Sequence, residues 1–517
     1  MKKIKLIAIL ALCLSISCTD DLNLQPMGNA NGEQIWTTAQ GSEQMVCGAY
    51  ARLRRILIFD RPMYVYGDLP STALFTHNHW IAQYATQGNY VGSYLKSWWL
   101  NWSPYFQVIT TTNTLLKHIN DIPLSEFAKD DATALKKRNQ IRGEAYFLYA
   151  YTYFYMVRIY GDVPLVKEAI ESASQALENG STVPRKQTPE KEVLEELLKR
   201  LDAAIVLLDF DQPGSTNWAV RADKSAALTL KAHVLLWLVR EMDSSSPQYT
   251  QYVGDAEEAL NTVIGQSGRQ LVDYNDPSAV VKMFDGQSSE GIFELNVSTD
   301  LNESFHINAD GQEFPLHTTT YRDVTRKPLT ESNMNSMMVP DPNKAVSLYA
   351  ANDKRRKLFF QNFGNAVKDY QAPPFLLKYA ANLVDDPVST ERYFTNSNVL
   401  LFRLSEAILL RAEALLKLGR LANAKEMLNI TRERAGIGRF KGSDSELMQA
   451  IFDERVRELA GEGHSAYDRI RNDYWDGNEF MTAERKSKKG YYWPVDIESL
   501  ISANNELYQV PWWIGKL

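Results

Sequence analysis

The stretch from Phe402 to Arg471 constrains this chain more than any other. Apolar and small residues recur at helical spacing through Leu404, Ala407, Ile408, Ala412, Leu415 and Leu416. Gly419 interrupts the pattern, and a second helical run carries Leu421, Ala424, Leu428 and Ile430. Together they make a helix–turn–helix of about 34 residues, a length typical of stacked helical repeats. One such hairpin cannot bury both of its faces. The rest of the chain must therefore supply neighbours to stack on.

Those neighbours are legible upstream. The periodicity predicts helices from Gly41 to Ile58, Ser103 to Asn120, Lys136 to Gly161, Pro189 to Leu208, Asp223 to Val239 and Asp255 to Ile264. Leu194, Leu197, Leu198, Leu201 and Ile205 form the stripe of the Pro189 helix. Ala145, Leu148, Tyr149, Tyr155 and Met156 share a face of the Lys136 helix, where the tyrosines read as packing. The helices come in pairs, about four in all, but about 130 residues separate Ile264 from Phe402. That interval is mixed in character, and Ile292 to Val297 alternates like a strand. The expected fold is mainly α: a tetratricopeptide-like helical-repeat scaffold with an irregular second lobe containing short strands. The expected divisions are 1–17, a secretory signal; 18–40, an extended leader; 41–270, a helical-repeat region with a loop at 59–102; 271–400, the irregular lobe; and 401–517, a further repeat and tail.

The amino terminus is a secretion signal. Lys2, Lys3 and Lys5 precede the apolar run Leu6 to Leu14, too short to span a bilayer. Ser15-Ile16-Ser17-Cys18 then places small residues before a cysteine, which makes Cys18 the expected lipid-attachment residue. Ser15 stands where Leu is more usual. Cys13 leaves with the signal, so Cys47 remains as the single free thiol and no intrachain disulfide is expected. Its run, Gln44 to Tyr50, reads as a buried helix with Cys47 as a small core residue. Without the three signal lysines the chain carries 53 basic and 63 acidic residues, which argues against nucleic acid as a partner. Membrane contact is expected through the lipid alone.

The repeat motif has a more specific resemblance. Arg411-Ala412-Glu413-Ala414, then Asn429, Arg432 and Arg434-Ala435-Gly436, then Glu454-Arg455, Glu458-Leu459 and Glu462-Gly463-His464 resemble the SusD/RagB family. Those are surface lipoproteins of Bacteroidetes-type bacteria that bind nutrients for an outer-membrane transporter. Arg142-Gly143-Glu144-Ala145, Tyr160-Gly161-Asp162-Val163-Pro164 and the Tyr349 to Phe360 segment extend the resemblance. Thr19-Asp20-Asp21 resembles the surface-export signal of such lipoproteins. Ser465 and Ala466, Tyr492 to Asp496, and Gln509 to Trp513 depart from the family pattern, as in a divergent member. The resemblance implies oligosaccharide capture for a TonB-dependent, SusC-like transporter. It also leaves open a peptide-binding relative, or a structural or adhesion lipoprotein.

No GxSxG, HExxH, Walker A or GxGxxG pattern occurs, so no enzyme and no cofactor are expected. His77-Asn78-His79 lacks a third ligand nearby, and no metal site is expected. Glu454, Glu458 and Glu462 share a helix face and could act as a carboxylate pair. Arg455 and Arg457 on the same helix favour repeat-to-repeat salt bridges instead. The candidate ligand surface is the loop with Trp80, Tyr84, Tyr90, Trp98, Trp99 and Asn101. Consecutive Trp98 and Trp99 cannot both point inward from a regular helix. A flat indole beside an amide suits the apolar face and hydroxyls of a pyranose. The same rings could instead anchor the following helix, as expected of Trp102. The family resemblance adds a second stretch, where His306, Phe314, His317, Tyr321 and Arg322 stand.

Overall fold

In the computed structural model the described residues are 35–60, 63–77, 80–91, 99–171, 177–178, 181–182, 184–297, 338–366, 374–378, 383–385, 393–395 and 397–516. Cys18, His79, Trp98, His306, Phe314, His317, Tyr321 and Arg322 lie outside them.

The main helices are α1 (Ala39–Arg55), α2 (Ser103–His118), α3 (Asp131–Tyr160), α4 (Glu190–Leu207), α5 (Lys224–Leu238), α6 (Pro247–Gln266), α7 (Leu404–Lys417), α8 (Leu421–Arg434), α9 (Leu447–Glu458) and α10 (Ser465–Asn472). Each of α1 to α9 packs on the next. The stack is therefore continuous across the α6–α7 contact, although the sequence there is interrupted by the irregular lobe. The apparent gap in the sequence is a long insertion at one joint of the stack.

Two helices begin earlier than their apolar stripes suggest, because a side chain caps each one. The carboxylate of Asp130 accepts from the Thr133 amide at 2.8 Å, and the hydroxyl of Ser246 accepts from the Tyr249 amide at 3.2 Å. The first turns of α3 and α6 carry little apolar surface, so periodicity misses them. The second half of α3 is buried on every side, from Phe147 to Tyr160. It is the central post of the core.

The Ile292 strand is found as β2 (Gly291–Leu295), paired antiparallel with β4 (Val399–Arg403), which leads into α7. Both strands are buried along their whole length, so the pair is a buried clasp between lobe and stack. A second short pair joins β1 (Phe75–His77) to β3 (Met338–Pro340).

Two expectations need correction. The 59–102 segment was expected to be loop, but its described part holds helical turns at Met63–Gly67 and Trp80–Thr86, and Tyr64, Val65 and Tyr66 are buried. Cys47 is exposed rather than core. Val46, Ala49 and Leu53 face inward from α1, and Cys47 stands on the outer face of the same helix.

A layer of buried ion pairs locks the last repeats to the lobe. Arg403 on β4 reaches Glu290 at 2.7 Å, Glu458 at 2.8 Å and Glu462 at 2.9 Å. Arg355 reaches Asp353 at 2.9 Å, Glu454 at 2.8 Å and Glu458 at 2.9 Å. Arg434 closes the group on Glu290 and Glu458, and Lys378 pairs with Glu462. The three guanidinium groups hold Glu458 well below the ordinary carboxylate range despite its burial. These glutamates are architectural. Their partners lie mostly outside their own helix: Arg457 pairs with Glu454, whereas Arg455 turns to Glu406 and Asp468.

Candidate functional site

The described part of the 63–102 segment folds against the carboxyl-terminal residues, and this docking builds the site. Gly67 and Gly463 meet backbone to backbone. A Cβ on Gly67 would lie 2.1 Å from the Gly463 carbonyl oxygen, so only glycine fits. Next to that contact, Asp68 accepts from the Gly463 amide at 2.8 Å and from the Ser465 hydroxyl at 3.3 Å. Asn478 Nδ2 donates to the Pro70 carbonyl at 2.9 Å. Burial pushes the Asp68 carboxyl up to about 7 against the pull of these donors.

Behind this seam lies an aromatic nucleus. Tyr90 stacks on Trp493 with ring centroids 3.9 Å apart, and Tyr66 and Trp99 meet Trp493 edge-on. The Trp99 carbonyl accepts from the hydroxyls of Tyr66 at 2.9 Å and Tyr160 at 2.8 Å. Trp102 packs edge-on against Tyr160, the anchor role expected of it.

In front of the nucleus is a shallow cleft, open to solvent, whose own cavity volume of about 10 Å³ is close to that of a single water. Tyr66, Pro70 and Tyr90 come from the early segment. Tyr467 and Ile470 come from α10, and Trp475, Phe480, Met481, Tyr491 and Trp493 from the tail. Arg158, in the last turn of α3, also lines it. Trp475 and Tyr491 are partly exposed and stacked, with centroids 6.2 Å apart at 23°. The Trp475 indole N–H donates to Asp473 at 2.9 Å, which fixes the ring's orientation. Arg485 braces the tail by donating to the Gly490 carbonyl at 2.9 Å and lying over Phe480 and Tyr90. Burial raises the phenols of Tyr90 and Tyr491 to about 12, so both stay neutral.

The expected ligand residues divide. Trp99 is only 3% exposed and belongs to the nucleus, so its ring is not an open platform. The amide of Asn101 is engaged: its oxygen accepts from the Ser103 amide at 2.8 Å and its nitrogen donates to Ser499 at 3.1 Å. It closes a local turn just before α2. Tyr84 is partly buried and packs on the core. Trp80 opens a short helix, Trp80–Thr86. His77 ends β1 half-buried, and burial lowers its pKa. Among the described residues no cluster of His, Cys, Asp or Glu is arranged to hold a metal.

Sequence reasoning missed Trp475, Phe480, Tyr491 and Arg158. Trp475 carries the same signal as Trp98 and Trp99. It stands in Asp473-Tyr474-Trp475-Asp476-Gly477, a turn-forming segment where an indole has no helix face to hide behind. Arg158 gave no such signal, because its apolar helix surrounds it with rings.

The chain belongs to the SusD family. Residues 261–513 match the model described as SusD family, and residues 65–236 match the one described as starch-binding associating with outer membrane. SusD-like protein P38 of Formosa agariphila is 23% identical, over 91% of this chain and 92% of that protein. SusD-like protein P25 of the same organism is 26% identical, over 72% and 69%. Among solved structures, a SusD homolog from Bacteroides thetaiotaomicron is similar with a TM-score of 0.75 and 24% identity, covering 92% of this chain and 98% of that one. B. fragilis NanU gives 0.71 and 20%, covering 94% and 99%. Among the described residues no helix is long and apolar enough to cross a membrane.

Proposed function

We propose that this protein is a cell-surface lipoprotein that captures oligosaccharides and delivers them to a TonB-dependent outer-membrane transporter, without chemistry of its own. Cys18 carries the lipid in this reading and holds the protein on the exterior face. The observation that carries the binding role is the cleft, where Trp475 and Tyr491 present two partly exposed flat rings beside polar neighbours. The family match to a model described as starch-binding associating with outer membrane supports the ligand class and location. Trp80, Tyr84, Trp98, Phe314, Tyr321 and Arg322 remain proposed contributors to a wider ligand surface.

The test is equilibrium titration of the purified protein with a panel of oligosaccharides, followed by recovery of the sugars. The reading expects saturable binding and intact sugars. Removing one stacked indole at a recognition hot spot typically costs about 2 kcal/mol, roughly thirtyfold in affinity. Trp475→Ala should show that loss with a near-native melt, and a loss confined to Trp98→Ala would move the site to the early loop. Turnover of any sugar overturns the binding-only role. For the partner, gentle detergent extraction of the native membrane should co-purify a larger barrel chain, and Cys18→Ala should abolish lipid labelling.

A further inference from the structure

Arg158 differs from the other buried arginines among the described residues. It is 7% exposed, and no hydrogen bond or ion pair holds it among the described residues. Its Nε is buried without an acceptor. What it touches are ring faces: Tyr467 at 4.1 Å, Phe154 at 4.6 Å and Tyr155 at 5.5 Å from its guanidinium carbon. Other buried arginines near the cleft have oxygen acceptors. Arg469 donates to the carbonyls of Tyr474 and Asp476 at 3.0 Å, Arg485 to Gly490, and Arg240 to Glu190 at 2.6 Å.

A guanidinium cannot shed its proton in a protein. Buried without an anion it is unfavourable, and ring faces only partly offset that. The carbonyls ending α3 favour a cation there, but they are no substitute for a paired oxygen. The fork of donors on Arg158 matches a carboxylate, which it can hold through two parallel bonds. The mature chain is net acidic, so an anion gains nothing from the overall charge and must be attracted locally. Asp473, on the turn that carries Trp475, is already engaged: it accepts from Trp475, and Lys486 pairs with it.

We propose that Arg158 is the anion-recognition group of the cleft, and that the bound oligosaccharide carries a carboxylate-bearing, uronate-type sugar. The carboxylate enters toward Arg158 while the sugar ring stays at the mouth against Trp475 and Tyr491. This rests on the glycan-binding reading above and narrows it. The carboxylate of an acidic peptide is the competing source of the same charge.

The test titrates the full-length protein with uronate tetrasaccharides (tetragalacturonate, tetramannuronate and a glucuronate-containing tetramer), neutral tetrasaccharides of the same length, and an acidic tetrapeptide, all at one ionic strength. The wild type should bind at least one uronate tetramer roughly tenfold or more tighter than its neutral counterpart, the scale of a charge-assisted pair. Arg158→Met should erase that preference. It should leave the melting temperature equal or higher, because an apolar side chain replaces an uncompensated charge. A lower melting temperature with the preference intact would assign Arg158 a packing role and overturn the proposal. Arg158→Lys supplies a second variant that retains the charge, and it should keep only part of the preference. Equal binding of neutral and acidic tetramers overturns the role of Arg158 and leaves the glycan reading standing. Binding of the acidic peptide with no saccharide bound overturns both, as does no binding by any probe.

Discussion

Two regions of this molecule bury arginine, and they treat it differently. In the layer between lobe and last repeats, Arg355, Arg403 and Arg434 converge on Glu458 and on Glu290, Glu454 and Glu462, and each guanidinium has more than one carboxylate. In the cleft, Arg158 has rings and no carboxylate. Burial alone is therefore a poor guide to role. The ion layer is a closed network that fixes how the lobe sits on the stack. The cleft is an open one, with no carboxylate on Arg158 and its flat rings partly exposed.

The sharpest way to break this contrast is to open the closed network. Glu458→Ala leaves three buried guanidinium groups short of a partner. Removing one member of a buried ion pair destabilises by about 3–5 kcal/mol. Denaturant unfolding should show a loss of at least that size, and a loss under about 1 kcal/mol would show that the layer is not structural. Trp102→Ala belongs to the same class, because its buried ring is lost from the core at about 3–5 kcal/mol.

The seam between the two regions should respond to pH. The Asp68 carboxyl is raised from 3.8 to about 7 by burial, so between those values the folded state holds a proton that the unfolded state has released. Its contribution is complete at low pH and is lost as pH rises through about 7. Asp68→Asn should remove this dependence, making the difference in stability between variant and wild type grow by roughly 2 kcal/mol from pH 5 to pH 8. His464 acts oppositely. Burial lowers it to about 4, so its contribution is lost as pH falls below its ordinary value of 6.5 and on through 4. Only the difference between the two proteins isolates Asp68. A flat difference across that range would show that the seam carries an ionised Asp68.

The smallest effect belongs outside both regions. Cys47 lies on the outer face of α1, so Cys47→Ser should change stability by no more than about 0.5 kcal/mol. The native protein should react with a thiol reagent at once. Protection until unfolding would return Cys47 to the core.

Much of the stack was readable because its signals are local. The α7–α8 hairpin and the stripe of α4 repeat at helical spacing, and Trp102 follows the register of α2. The cleft was harder, because its walls lie far apart in sequence: Tyr66 and Tyr90 meet Trp493 only after the tail folds back. Consecutive Trp98 and Trp99 marked an aromatic surface, and the described member of the pair faces the nucleus. The amide of Asn101, read as a sugar contact, is engaged by Ser103 and Ser499. Spacing shows which residues share a face. It does not show which charges will find partners, and that distinction separates Glu458 from Arg158.

The most direct measurement is a crystal structure of the protein soaked with an oligosaccharide that it binds in solution. The account predicts a sugar ring in contact with Trp475 or Tyr491 at the mouth of the cleft, with the buried ion layer unchanged. A sugar held on another face while the cleft stays empty would contradict it.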